Sequence, residues 1–301
     1  MNTQPLVSIL MTAYNRKYFI GEAIESVLAS TYTNFELIIV DDKSTDNTVD
    51  IAKSYKEKDE RIFLYINEQN IGQFANRNKA ASLAKGKYIK YLDSDDTIAP
   101  NGLTTMVSSM EKYPNELGLG ICYFFKSRFI NTITFPILLS SGEAYKSNFE
   151  GGGLLCVGPT HTIYLKEKFD FVNGFDNSFG INTDVHLNLK IAAISKVVLL
   201  PENLAVWRRH AEQVHEGQAD QFNMLREKFI INKDILLSKN CPSNSSEKKR
   251  FYKIQEILLA RNLITKFLFK AKFKLLFKSF SSETILFYKI FYAFIPIRLL
   301  K

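Results

Sequence analysis

The sequence is short of the features that would place it in several common classes. Its three cysteines, Cys122, Cys156 and Cys241, are odd in number and widely spaced, with no Cys-x-x-Cys pair. That excludes a disulfide framework and a zinc ribbon, and it fits a reducing compartment. No stretch reaches the roughly 18 uncharged apolar residues of a membrane span. Met1-Asn2-Thr3-Gln4-Pro5 runs into a strand pattern without a basic region or an apolar signal core, so a cytoplasmic location is expected. Gly118-Leu119-Gly120 lacks a third glycine and opens no helix, which removes it as a dinucleotide fingerprint. No internal repeat is visible. A net positive charge is also missing from the body of the chain. The whole carries +8, yet residues 241–301 alone hold 13 Lys and Arg against 3 Glu, which leaves residues 1–240 slightly acidic. This asymmetry argues against a nucleic-acid-binding body and for a tail that meets an anionic surface.

What remains is ordinary globular material, 301 residues with 46% hydrophobic and 23% charged, enough for one large or two small domains. The first hundred residues alternate strand and helix. Leu6 to Met11 is a β-rich apolar run, Phe19 to Leu28 repeats apolar residues at helical spacing, and Phe35 to Val40 is a continuous buried-strand run ending at Asp41 and Asp42. Ser44-Thr45-Asp46-Asn47 supplies caps for a helix reaching about Lys58, Ile62 to Ile66 is a strand, Gln73 to Lys85 a helix stopped by Gly86, and Tyr88 to Leu92 the next strand. After Tyr113-Pro114-Asn115 the rhythm changes. The runs Ile121 to Phe125, Ile130 to Phe135 and His161 to Leu165, broken by Ser140-Ser141-Gly142 and Gly151-Gly152-Gly153, predict an irregular, partly antiparallel second half. Asp184 to Ile194 and Gln218 to Leu237 read as helices, Val197 to Leu200 and Leu204 to Trp207 as strands.

Tyr88 to Thr97 ends its apolar run in three carboxylates within four positions, Asp93, Asp95 and Asp96. A strand delivers such residues to the carboxyl edge of an open α/β sheet, where ligands bind. Adjacent carboxylates repel unless a hard cation sits between them. Thr12-Ala13-Tyr14-Asn15-Arg16 follows the first strand and Asp41-Asp42 the second, so all three segments share one edge of a parallel sheet, and Thr183-Asp184 starts a later helix. Backbone amides, a hydroxyl, an acidic acceptor and a metal site together suit a nucleotide diphosphate.

These segments, with Asn70-Ile71-Gly72, Ala75-Asn76-Arg77-Asn78 and Gly174-Phe175-Asp176, make residues 5–215 resemble a family 2 glycosyltransferase of the non-processive bacterial type. The resemblance implies a GT-A fold, a Rossmann-like and mainly parallel sheet with a nucleotide-sugar-binding half (1–114), a smaller mixed acceptor-binding half (115–240) and a helical tail (241–301). It implies a metal-dependent inverting transfer, hexosyl in kind, from a nucleotide donor, UDP-linked, to a hydroxyl of a glycan or lipid-linked acceptor, with assembly of a bacterial surface polysaccharide as the setting. By position, Thr12, Ala13, Tyr14 and Asn15 would line the base and ribose pocket, and Asp42 would accept from the uracil ring. Arg77 would approach the diphosphate or ribose, and Asp93 with Ser94 the ribose. Asp95 would ligate Mn²⁺ or Mg²⁺, His210 of Trp207-Arg208-Arg209-His210 would complete the metal site, Asp96 would orient the loop or the sugar, and Asp184 would be the catalytic base. Two positions depart from the family pattern: Thr183, where an acidic residue is usual, and Lys43, where glycine is common.

In the tail, apolar residues at 263, 264, 267, 268, 271 and 275 oppose Lys266, Lys270, Lys274 and Lys278, the pattern of a basic amphipathic helix. The tail is also rich in phenylalanine, and interfacial docking on the inner face of the cell membrane is expected from it. Two rival readings stand beside the transferase. Asp93-x-Asp95-x-Thr97 also fits the signature of haloacid-dehalogenase-like phosphatases, with Asp93 as the phosphorylated nucleophile. A non-catalytic nucleotide-sugar-binding protein is the other.

Overall fold

The computed structural model describes residues 4–114, 116–122, 134–151, 153–210 and 221–263. Along the chain these form β1 (Val7–Ala13), α1 (Ile20–Leu28), β2 (Phe35–Asp41), α2 (Thr48–Lys56), β3 (Ile62–Ile66), α3 (Gln73–Leu83), β4 (Tyr88–Tyr91), β5 (Thr97–Ile98) and α4 (Gly102–Glu111). The later elements are β6 (Leu117–Cys122), β7 (Ile137–Leu139), α5 (Ser141–Gly151), β8 (Thr162–Leu165), α6 (Lys166–Phe171), α7 (Thr183–Ile194), β9 (Lys196–Leu200), β10 (Ala205–Val206), α8 (Gln221–Leu237) and α9 (Ser245–Leu263).

The apolar runs form central strands because both of their faces are covered. Along β2, Phe35, Leu37 and Ile39 enter one core cluster and Ile38 and Val40 the other. Each such side chain contributes about 1.5–3 kcal/mol on full burial, so tertiary burial rather than local propensity decides the strand. Helix α1 covers one side with Ile20, Ala23, Ile24 and Val27, and α3 covers the other with Ala80 and Ala81.

The large sheet runs β3-β2-β1-β4-β8-β6-β9-β7, and β3, β2, β1 and β4 are mutually parallel. Strands β1 to β3 step outward in one direction, and β4 returns to the other side of β1. That reversal is a topological switch point, the place where open sheets leave a crevice at their carboxyl ends. Strand β8 pairs antiparallel with both β4 and β6, and β7 antiparallel with β9, so the second half of the sheet is mixed as expected. Strand β10 pairs with β5, placing Val206 opposite Thr97 and bringing the segment after Val206 beside the acidic loop.

Several boundaries differ from the sequence reading. Strand β6 begins at Leu117 and includes Gly118 and Gly120, because Ser195 and Ile163 pack where their side chains would be. Ser140-Ser141-Gly142 is not a break but the start of α5, where Glu143 accepts from the Ser140 amide at 2.8 Å and caps the helix. Helices α4, α5 and α6 were not anticipated, and α9 falls within the expected helical tail. Phe135 lies outside any strand, and the rest of the 123–133 stretch falls outside the described residues.

From the predicted tail, α9 is described. It packs on α5 through the stacked Phe149 and Phe251 rings, 5.4 Å apart, and through Arg250 paired with Glu150. The lysine-striped segment from 264 onward lies outside the described residues. Among the described residues no helix is long and apolar enough to cross a membrane.

Candidate active site

The loops after β1 and β2 are laced together by their own polar side chains. The Asn15 amide donates to Ser44 Oγ at 2.9 Å, the Thr45 amide to Asn15 Oδ1 at 2.8 Å, and the Arg16 amide to Thr48 Oγ1 at 2.7 Å. Asn15 is therefore a brace, with its own backbone at φ 53°. Thr12 and Ala13 close β1, half-buried and buried, while the Tyr14 ring is 46% exposed at the mouth of the crevice. Lys43 sits at φ 67°, a conformation that costs an L-residue about 1–2 kcal/mol, which accounts physically for glycine at that position in the family pattern. Lys43→Gly is expected to raise unfolding stability by about 0.5–1 kcal/mol after the entropy cost of glycine; a denaturant midpoint at or below that of the parent would contradict this.

Asp42 is buried and accepts from Asn67 Nδ2 at 2.7 Å and from the Ile71 and Gly72 amides, both at 2.9 Å. Three of roughly four carboxylate acceptor positions are thus used by the protein, which leaves one for a base donor. Asp41 turns the other way and accepts from the Ser44 amide at 2.8 Å.

At the switch point, ligand atoms of Asp93, Asp95 and Asp96 lie within 4.8 Å of one another, but the three carboxylates have different partners. Asp93 accepts from Arg77 Nη2 at 2.6 Å. Arg77 is 2% exposed. Burial pulls against its charge, but the neighbouring Asp93 and then Asp184 outweigh it and hold the guanidinium protonated. Arg77 thus stands behind Asp93 rather than free in the crevice. Asp95 Oδ2 meets Arg16 Nε at 3.0 Å and His210 Nε2 at 3.1 Å. Asp96 is fully buried, accepts from the Thr160 hydroxyl at 2.6 Å and the Arg208 amide at 3.1 Å, and is pushed up to about 7 by burial and then by the Asp93 charge. Ser94 is buried between them.

This donor set fits a hard divalent cation. Oxygen ligands with one imidazole suit Mg²⁺ or Mn²⁺, and His210 Nε2 and Asp95 Oδ2 already face each other at 3.1 Å. Asp96 has both oxygens engaged and serves as a keystone of the loop. Arg208 fixes the segment after β10 that carries His210, donating to the Asp95 carbonyl at 2.5 Å and the Phe19 carbonyl at 3.2 Å and pairing with Glu22. The Phe19 ring backs the His210 imidazole with centroids 4.1 Å apart.

Asp184 is half-buried in the first turn of α7, where its Oδ1 accepts from the Val185 amide at 2.8 Å. Burial pushes it up to about 6, and the Arg77 charge works in the opposite direction. The preceding Thr183 is fully buried and donates to the Asp176 and Gly180 carbonyls. A carboxylate there would face two carbonyl oxygens without a donor, which explains why a hydroxyl is kept. The approach to α7 is held by Asn78, whose amide group both accepts from the Phe175 N–H at 2.9 Å and donates to the Phe175 carbonyl at 2.8 Å. Gly174, at φ 59°, lies so close that an added Cβ would stand 2.6 Å from Asn78 Oδ1.

With this geometry in hand, comparison with known proteins is decisive at the family level. The glycosyl transferase family 2 model matches residues 8–172. The chain belongs to glycosyl transferase family 2. Glycosyltransferase GlyG of Streptococcus pneumoniae is 26% identical over 227 residues, 71% of this chain and 74% of that one. The Escherichia coli UDP-Glc:alpha-D-GlcNAc-diphosphoundecaprenol beta-1,3-glucosyltransferase WfaP is 45% identical over 106 residues, but these are only 35% of this chain and 41% of the relative.

Solved structures share the GT-A fold at low identity. Staphylococcus aureus TarS 1-349 with UDP-GlcNAc matches with a TM-score of 0.64 at 18% identity, over 82% of this chain and 70% of that one. The Pyrobaculum calidifontis mannosyltransferase PcManGT with GDP-Man and Mn²⁺ matches with a TM-score of 0.67 at 16% identity, over 95% and 77%. The family 2 glycosyltransferase is thus an enzyme. A dehalogenase-like phosphatase is not favoured, since Asp93 follows the fourth strand and is paired with a buried arginine. A purely binding role is not favoured either.

Proposed function

We propose that this family 2 glycosyltransferase is metal-dependent and inverting, and that it moves a sugar from a UDP-linked donor to a hydroxyl of a glycan or lipid-linked acceptor. The observation that carries the proposal is a buried counter-ion, Arg77, bonded to Asp93 and also acting on Asp184. A donor-side carboxylate and a base of raised pKa therefore share one site. Names of similar proteins support the donor and acceptor classes: the Escherichia coli relative is named for UDP-Glc and a diphosphoundecaprenol-linked sugar, and the TarS structure holds UDP-GlcNAc.

In this reading residues 1–114 bind the donor and 115–240 the acceptor. Thr12, Ala13, Tyr14 and Asn15 frame the base and ribose, Asp42 offers its remaining lone pair to the base, and Asp93 with Ser94 meets the ribose. Asp184 takes the proton of the acceptor hydroxyl as that oxygen bonds to the anomeric carbon and the bond to the diphosphate breaks on the opposite face. The proton ends on Asp184 and the electron pair on the departing nucleoside diphosphate. A divalent cation held by Asp95 and His210 would supply Lewis-acid relief of that charge. Incubation with UDP-, GDP- and dTDP-sugars over a panel of lipid-linked acceptors should give product only from UDP donors and with inverted anomeric configuration. Product that retains the donor configuration would refute the mechanism.

We also assign the tail a docking role on the anionic inner face of the membrane, from its lysine spacing and charge. Full-length protein should partition onto phosphatidylglycerol vesicles, and protein ending at residue 263 should not. Equal partitioning of the two would remove the assignment.

A further inference from the structure

Strand β4 carries one residue that its apolar pattern does not call for. Lys90 is 0% exposed between Ile89 and Tyr91, themselves core residues. Burying an ammonium costs several kcal/mol unless it is paired and hydrogen-bonded, and among the described residues no carboxylate lies within ion-pair distance of it. Its Nζ instead donates to two main-chain carbonyls, Tyr91 O at 2.7 Å and Thr160 O. Burial draws the ammonium down to about 8, with Cys122, Asp96 and Asp93 pulling the other way.

Thr160 belongs to the short turn Pro159–His161 that leads into β8. With its carbonyl held by Lys90, the Thr160 hydroxyl donates to Asp96 Oδ2 at 2.6 Å and faces the Asp93 amide at 3.4 Å. The other end of the same turn reaches the base, since a Cβ added at Gly158 would stand 3.8 Å from Asp184 Oδ2. One turn therefore borders both the acidic loop and Asp184, and Lys90 is the strut beneath it.

We infer that Lys90 is a positioning residue of the transfer site, which acts through Thr160 to hold the Asp93–Asp96 loop in the geometry that binds the metal–nucleotide pair. Its role rests on the donor-site reading above, whereas the mechanical link from Lys90 to the loop does not. An apolar residue would suit the core better, so the cost of the buried charge is explained by the loop it organises. A strut also predicts coupling: once either end is removed, removing the other costs little more.

The test uses Lys90→Met, Thr160→Val, Thr160→Ser and the Lys90→Met/Thr160→Val double variant. The readouts are amide hydrogen exchange of residues 93–97, melting temperature, and UDP affinity with Mn²⁺. Thr160→Val, which keeps the side-chain volume, should speed exchange in 93–97 at least tenfold and weaken UDP binding with Mn²⁺ at least tenfold. Its melting temperature should stay within a few degrees of the parent. Lys90→Met should reproduce both effects, the double variant should add less than threefold, and Thr160→Ser should restore both. Unchanged exchange and affinity in Thr160→Val overturn the inference, as do fully multiplicative effects in the double variant. If the parent binds no UDP with Mn²⁺, the donor-site reading fails on its own, and the exchange data alone then decide the strut.

Discussion

Asp95→Ala is expected to abolish turnover and to weaken metal-dependent nucleotide binding by more than about 100-fold, since even residues one step removed from a metal tune its affinity by about 10–100-fold. Asp95 Oδ2 is the atom on which Arg16 and His210 converge, at 3.0 and 3.1 Å. Asp96 has both oxygens engaged, by Thr160 and Arg208, and Asp93 is tied to Arg77 through Oδ1, so Asp95 is the carboxylate of the cluster that also meets an imidazole. The variant should nevertheless fold, because Asp95 lies in a loop outside both core clusters. Titration of Mn²⁺-loaded UDP and a melting curve on the same sample check both halves of this expectation. Retained transfer in Asp95→Ala would remove Asp95 from the metal site.

Asp184→Asn is expected to have the second large effect, with the opposite signature. The amide keeps the shape and the Val185 contact but cannot accept the acceptor's proton. The transfer rate should fall about 10²–10⁴-fold, while UDP affinity with Mn²⁺ stays within a factor of three. The pH profile gives an independent check. A base works only when ionised, and burial pushes the Asp184 carboxyl up from its ordinary value to about 6. Transfer should therefore lose tenfold per pH unit below about 6 and reach a plateau above it, and the residual activity of Asp184→Asn should lack that limb. Arg77 works against the burial effect at Asp184, so Arg77→Met should move the limb to higher pH. A parent profile flat between pH 5 and 8 would take Asp184 out of the base role.

The grouping of the candidate site's segments was legible in the sequence where chain order and sheet physics coincide. A parallel sheet brings all its strand ends to one edge, so Tyr14–Arg16, Asp42 and Asp93–Asp96 could be grouped before any coordinates, and β1 borders both β2 and β4 in the structure. The partners were not legible, because they are set by contacts between residues distant in the chain. Arg16 and Asp95 are 79 positions apart, Arg208 and Asp96 112, and Asn78 and Phe175 97.

One signal was available and unused. A lysine inside the run Tyr88-Ile89-Lys90-Tyr91-Leu92 breaks the pattern of a buried strand, and such a break asks for a partner. In the second half the difficulty was glycine. Gly118 and Gly120, set aside as a dinucleotide fingerprint, lie inside β6, where neighbours occupy the space a side chain would fill, and Gly142 lies in the first turn of α5 rather than breaking a strand run. Close packing and helix capping, neither readable from composition, decide both.

The central claim is that the segments at the switch point form one metal-dependent nucleotide site. Calorimetric titration of UDP, GDP and dTDP into the purified protein, each with and without Mn²⁺, tests it most directly. The account predicts that UDP binds when Mn²⁺ is present, that metal-free binding is at least tenfold weaker, and that GDP and dTDP bind poorly in both conditions. Equal UDP binding with and without metal, or no binding of any nucleotide, would contradict it.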